Sequence, residues 1–399
     1  MLRVSLIAWL VACSHPSDPA PASDRTAAWR DDLHVLATEL PAKHKHAFFH
    51  VAEADWRKQV AELDARIPQL DDAHVIVGLT RVVAALGDAH TAIDVAGHGG
   101  WYPLTFVWFD DGIFVVGAAD SWAIGRKLVG LGGHPIAEVI AALSPLVSHD
   151  NLPGLHAWLP NVLRDPLLLA GADLAAADHA SFSLAAADGT VRELDVKPGR
   201  SGARVALPDP LPLHLQGPAL NYWNKYDERN RLLFFEYNAC VEDSRAGPIA
   251  YLIDGTFGFI EEHPVDKLVI DLRNNEGGNS RLIEPLLAGL AARPALAGKT
   301  YAIIGMHTFS SGMLAAMELK RRLHVTLVGG PTSGRPNSYG EVVVMKLPHS
   351  KLELQYSTKL FEAPDFPGES VEPDVAVKVT SADWFAGRDP AIDAILTPR

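Results

Sequence analysis

Residues 268–278 read LVIDLRNNEGG. The first five are an almost unbroken apolar run, as in a strand buried on both faces of a parallel sheet. A polar turn with two adjacent glycines follows, then RLIEPLLAGLAA (281–292), which reads as a helix. The alternation continues toward the C-terminus. Tyr301–Met306 is strand-like, HTFSSG (307–312) is a turn, MLAAMELKRR (313–322) is a helix and Val325–Val328 is a third strand. Leu232–Tyr237 is a further strand candidate on the N-terminal side. This β-α-β-α-β order predicts a parallel sheet with right-handed crossovers, hence an α/β fold.

In such a sheet the turns after Leu272 and after Met306 lie on the same carboxyl edge, where ligand sites form. Each turn opens a helix and so offers unpaired N–H groups and a positive dipole end. Gly277 and Gly278 permit close backbone approach. Ser310 and Ser311 put hydroxyls beside them, which are the parts of a nucleophile and an oxyanion hole. The plainer reading of either serine is a helix N-cap.

Beyond the core, Trp56, Val60, Leu63 and Ile67 share one helical face, as do Val75, Leu79, Val82 and Leu86. Asp71 or Asp72 is the expected cap of the second helix and Gly87 its stop. TFVWF and IFVV around Asp110-Asp111-Gly112 predict a hairpin. KLVGLGGHPIAEVIAAL (127–143) reads as strand, glycine turn and helix. LPDPLPLHLQGP (207–218) reads as a linker.

The segments LVIDLRNNEGG, TFSSG and VGGPTSGRPNSYGE resemble the S41 (C-terminal processing, or tail-specific) serine peptidases, as do LGDAHT, LPHSKLELQYSTKLF, VEPDVAV and GRDPAID. The resemblance runs from about Asp31 to the C-terminus. It implies a ClpP/crotonase-like β-α-β core (207–399), an N-terminal helical region (28–100) and a small mixed module (101–206), PDZ-like or degenerate. It implies peptide or protein substrates and no cofactor. It puts the nucleophile on Ser310, with oxyanion donors from Ser311 and from Gly277 or Gly278.

The processing-protease branch has a lysine 25 positions after its serine, and here that position is Arg335. Arginine holds its proton and cannot accept one from serine. Lys346 and Lys359 have no motif support. The tricorn-like branch uses a Ser–His pair, and its histidine falls on His90, although Ala89 stands where that branch has a serine. A neutral imidazole suits the base role, since its unperturbed pKa is ~6.5. Glu369 is the candidate acidic member, with Glu341 and Asp88 as rivals. Arg335 is read as binding a substrate carboxylate or as a solvated loop charge. His44, His46 and His50 match no zinc spacing and are read as solvated or capping side chains, so no metal is expected. The fold also occurs in non-catalytic binding repeats, which leaves an inactive ligand- or peptide-binding protein as the alternative.

Near the N-terminus, Arg3 precedes the apolar run VSLIAWLVA (4–12), which is followed by Cys13. The run is too short to span a bilayer and suits a signal peptide. Leu10–Cys13 resembles a lipobox, which implies a signal peptide over 1–12, a lipid on Cys13, a Pro/Ser/Ala-rich tether over 13–27 and a lipid-anchored place in the cell envelope, on its periplasmic or extracellular side. Cys240 is then left without a disulfide partner and reads as a buried thiol. The chain of 399 residues has 35 Lys+Arg against 48 Asp+Glu, a net charge of −13, which argues against nucleic-acid binding. Its 32 glycines and 28 prolines follow no short period.

Overall fold

A computed structural model describes residues 22–95, 98–200 and 202–397. The signal peptide, Cys13 and most of the tether expected from the sequence lie outside these residues. The chain opens with helices α1 (Ala22–Lys43), α2 (Glu53–Arg66) and α3 (Asp72–Ala84), then a short strand β1 (Ala92–Asp94). The Asp71 side chain accepts the His74 N–H and caps α3. Gly87, at φ 70°, follows its last turn.

A mixed module comes next. Strands β2 (Leu104–Phe109), β3 (Gly112–Ala118) and β4 (Lys127–Leu131) precede β5 (His134–Pro135), helices α4 (Ile136–Leu143), α5 (Leu152–Val162) and α6 (Pro166–Gly171), and the hairpin β6 (Ala180–Ala185) and β7 (Val191–Val196). The expected Asp-Gly hairpin is β2–β3. Gly132 and Gly133 both have positive φ and make the turn out of β4. The sheet order is β2-β3-β4-β6-β7.

The segment expected as a linker carries one short turn, Leu213–Leu215. The C-terminal part then contains β8 (Tyr222–Asp227), β9 (Leu232–Tyr237), α7 (Ile249–Glu262), β10 (Lys267–Asp271), α8 (Glu284–Ala291), β11 (Thr300–Ile304), α9 (Ser310–Leu323) and β12 (Thr326–Gly329). A long hairpin follows, β13 (Ser338–Lys346) and β14 (Glu353–Phe361), then β15 (Val375–Ala376), α10 (Ser381–Phe385) and α11 (Pro390–Leu396). The central sheet runs β15-β12-β11-β10-β9-β8. All its pairings are parallel except β8–β9, so the β-α-β-α-β reading holds. Two helix starts differ from the sequence reading. Pro285 occupies the first turn of α8, so the segment expected to begin at Arg281 starts as a 3₁₀ turn. Helix α9 begins at Ser310, three residues earlier than expected.

Strands β1, β14 and β13 form a third sheet. Through β1–β14 pairing, the N-terminal region is stitched to residues near 355. One apolar core accordingly extends from Trp29 and Trp56 through Leu128 and Phe182 to Leu354 and Tyr356. The central sheet has its own two layers, one under α7, α8 and α9 and the other under α11.

A buried ionic cluster closes the carboxyl ends of β9 and β10. The Arg273 guanidinium donates to Asp271 at 2.8 Å and to Asp389 at 2.9 Å, and His214 bonds Asp389 at 3.1 Å. Asp389 also caps α11, which fixes the C-terminal helix to the strand end. Glu236, paired in register with Asp271, is buried with one oxygen unpartnered. Desolvation and the Asp271 charge push its pKa up to about 9. The carboxyl therefore stays protonated in the folded chain, and stability falls as pH rises from the unfolded value of ~4.5 toward 9. Glu236→Gln should remove that slope, raising stability at pH 8 and giving little gain below pH 4.5, read from urea unfolding across pH. Arg273→Met should cost about 3–5 kcal/mol by stranding Asp271 and Asp389, read the same way at pH 7.

Candidate active site

Two turns on the carboxyl edge of the central sheet meet. After β10 the chain turns through Asn275, whose side chain is fully buried. Its Nδ2 donates to the Tyr237 carbonyl at 2.7 Å, and its Oδ1 accepts the Gly277 N–H at 3.0 Å. Its backbone carbonyl accepts the Phe309 N–H at 2.9 Å. One asparagine thus ties this turn to the one preceding α9. The buried Cys240 thiol also faces Asn275 Oδ1, at 3.4 Å, and burial pushes its pKa up.

Glycine is required where the turns touch. Gly277 and Gly278 have φ of 114° and 126°. A Cβ on Gly277 would stand 2.7 Å from Ser310 Cβ and 3.1 Å from its Oγ; one on Gly278 would stand 2.3 Å from the Cys240 carbonyl oxygen. The two glycines differ in what they offer. The Gly277 N–H is taken by Asn275. Gly278 bridges Cys240 in parallel fashion, with the Cys240 N–H bonding the Gly277 carbonyl and the Asn279 N–H bonding the Cys240 carbonyl. The peptide groups of Gly278 itself therefore point the other way, toward α9, and its carbonyl accepts from Ser311 Oγ at 2.7 Å. Of the two glycines, Gly277 has its N–H bonded to Asn275, whereas Gly278 has its peptide groups turned toward α9.

Ser310 opens α9 with φ of 48°, in the left-handed region that a non-glycine residue occupies at a cost of about 1–3 kcal/mol. The N-cap position of this helix is Phe309, which carries no side-chain cap, so Ser310 is its first helical residue rather than its cap. Such a turn from strand to helix presents a hydroxyl rather than burying it as a cap.

Ser310, Ser311, Gly278 and His90 line one cleft of about 650 Å³, together with Ser338–Val342, Lys359 and Phe361. The His90 ring stacks on Phe309, the residue before Ser310, with centroids 4.3 Å apart. Both ring nitrogens are buried and neither hydrogen-bonds a protein side chain. Desolvation lowers the His90 pKa, while the Asp88 charge and the Tyr339 carbonyl act to raise it. The imidazole is therefore neutral at pH 7.

Asp88 lies behind His90. Its carboxylate accepts the His90 backbone N–H at 3.1 Å, the Thr91 hydroxyl at 2.5 Å and His44 Nε2 at 2.9 Å. His44 is buried in this contact, not solvated or capping as its sequence position suggested. The His46 ring contacts the Tyr339 hydroxyl at 3.1 Å.

Two residues that sequence reading missed fix this loop. Asp150 accepts the Ala89 N–H at 2.8 Å and the Arg335 N–H at 3.2 Å. Desolvation raises its pKa to about 6. Asn151 donates to the Thr332 carbonyl at 3.1 Å and the Glu369 carbonyl at 2.7 Å. This corner thus ties the loop before His90 to the segments at Thr332–Arg335 and Glu369. Its only sequence signal was Asn151 as the N-cap of α5.

Arg335 and Glu369 form an ion pair with each other, and neither lines the cleft. The Arg335 guanidinium also donates to the Asp150 carbonyl at 2.9 Å, so it serves as a tie in this structure. Glu341 does line the cleft, with φ of 57°.

No protein-family model matches the chain, and no curated protein does. Among solved structures it is similar to mature CPAF complexed with lactacystin, at 14% identity and a TM-score of 0.66, covering 93% of this chain and 98% of that one. The fold is shared. A serine-to-alanine mutant of CPAF is similar at 14% identity and a TM-score of 0.64, over 93% of this chain and 96% of that one. The photosystem II D1 C-terminal processing protease is also among the structural neighbours, at 13% identity and a TM-score of 0.42, over 92% and 98% of the two chains.

The expected titration of His90 is directional. Its Cε1 resonance should titrate below the ordinary ~6.5 in NMR. Asp88→Asn should move it lower still, because the Asp88 charge acts to raise it.

Proposed function

We propose that the chain is a serine-type peptidase. His90 accepts the Ser310 proton, and Ser310 Oγ attacks a peptide carbonyl. The N–H groups of Gly278 and Ser311 hold the oxyanion; His90 then gives the proton to the leaving amine as the C–N bond breaks, and water, activated by the same imidazole, attacks the acyl-serine to release the acyl group. The observation that carries this reading is the strained, half-buried Ser310 beside a glycine turn, in one cleft with a neutral histidine whose ring nitrogens bond no side chain among the described residues. The shared fold with mature CPAF supports it at the level of architecture. Asp88 is the best-placed acidic group to steady His90, through the backbone. Glu369 retains the assignment by resemblance, and its action would require release from Arg335.

A second reading is a ligand- or peptide-binding protein without turnover. It draws on the missing hydrogen bond between His90 and Ser310, although catalytic bonds often tighten only with substrate bound. The envelope location through lipid on Cys13 remains part of the proposal on sequence order alone. Cys13→Ala should shift the chain from the membrane to the soluble fraction.

A fluorophosphonate probe separates the two readings. Labelling should occur, vanish in Ser310→Ala and fall by about 10²–10⁴ in rate in His90→Ala. Absence of labelling in the unaltered chain favours the binding protein.

A further inference from the structure

Sheet edges in native proteins are protected by brevity, charge, proline or cover, because unpaired N–H and C=O groups recruit further strands. Most edges here follow that rule. Strands β1 and β15 have three and two residues. Strand β7 carries Arg192, Glu193 and Asp195, β8 carries Lys225 and Asp227, and no residue of β2 is exposed.

Strand β13 does not. It has nine residues, one edge pairs with β14, and the other pairs with no strand among the described residues. Val342, Val343 and Val344 are 45%, 45% and 55% exposed, with no charge between Glu341 and Lys346. Yet the first half of the same strand, Ser338–Val342, is a wall of the cleft that holds Ser310 and His90. The open edge thus leads, past the left-handed Glu341, into a wall of the candidate active site.

We propose that β13 is a strand-addition rail for the substrate. An extended polypeptide pairs its backbone with the free edge over Val342–Val344, and the register this sets carries the next peptide bond past Glu341 into the cleft beside Ser310. This rests on the peptidase reading and narrows it. The substrate is an unfolded or terminal segment, since a strand inside a folded sheet has both edges already paired. Apolar or β-branched residues suit it, because side chains of the added strand alternate between the face of Val342 and Val344 and the face of Val343. Main-chain bonds supply affinity and the alternate side chains supply preference.

The test uses Ser310→Ala chain, so that nothing is cleaved, and a fluorescein-labelled decapeptide of alternating valine and threonine. Binding is read by anisotropy as successive backbone amides of the peptide are N-methylated. Strand addition predicts a loss of roughly tenfold or more at every second amide and little at those between. Uniform loss, no loss, or no binding up to about 1 mM peptide would overturn it. So would a dimer in sedimentation that the peptide does not dissociate, because a second copy would then hold the edge. Fluorophosphonate labelling of the unaltered chain, run in parallel, reads the Ser310 chemistry alone. Labelling without periodicity rejects the rail and leaves the peptidase; periodicity without labelling rejects the chemistry and leaves the rail.

Discussion

The close approach of two backbone turns governs the rest of the site. Where the Asn275–Gly278 turn meets Phe309–Gly312, there is no room for side chains on either glycine-bearing strand of the contact. A Cβ on Gly312 would stand 2.2 Å from the Asn275 carbonyl oxygen, much as one on Gly277 would collide with Ser310. Asn275 holds this contact with both its side chain and its main chain. The left-handed backbone of Ser310 is sustained by that packing, since an isolated serine would relax toward an ordinary helix start. Strain at Ser310 and the glycine clearances are two sides of one constraint.

A second constraint acts at longer range. His90 comes from the N-terminal helical region, and Ser310 from the central sheet. Their common cleft depends on the Asp150–Asn151 corner, on β1–β14 pairing and on the stacking of His90 against Phe309. Each link comes from a different part of the chain. The cleft is therefore a product of the whole fold, in keeping with one apolar core that joins the helical region, the mixed module and the β13–β14 hairpin.

The parallel sheet was readable because its strands are continuous apolar runs, and the meeting of the two turns followed from strand direction alone. Ser310, Ser311 and the glycine pair were reachable by that logic. His90 needed the family resemblance, since no local pattern joins residues so far apart in sequence. Which glycine N–H the Asn275 side chain captures was not readable, because no local pattern sets the direction of that side chain. Asp150 was missed for a related reason: a carboxylate that accepts backbone N–H groups from two distant loops has no periodicity. Arg335 was read as a carboxylate binder or a solvated loop charge and Glu369 as one of three acidic candidates; their mutual ion pair is a three-dimensional fact that motif position does not carry. The long hairpin β13–β14 was seen only as motif segments. Its valine run resembles any buried strand until the missing neighbour is known.

The Asn151 side chain spans the Thr332 and Glu369 carbonyls. Residues 151, 332 and 369 belong to separate segments of the chain, so one amide side chain sets the spacing of three of them, and its loss would loosen all three together.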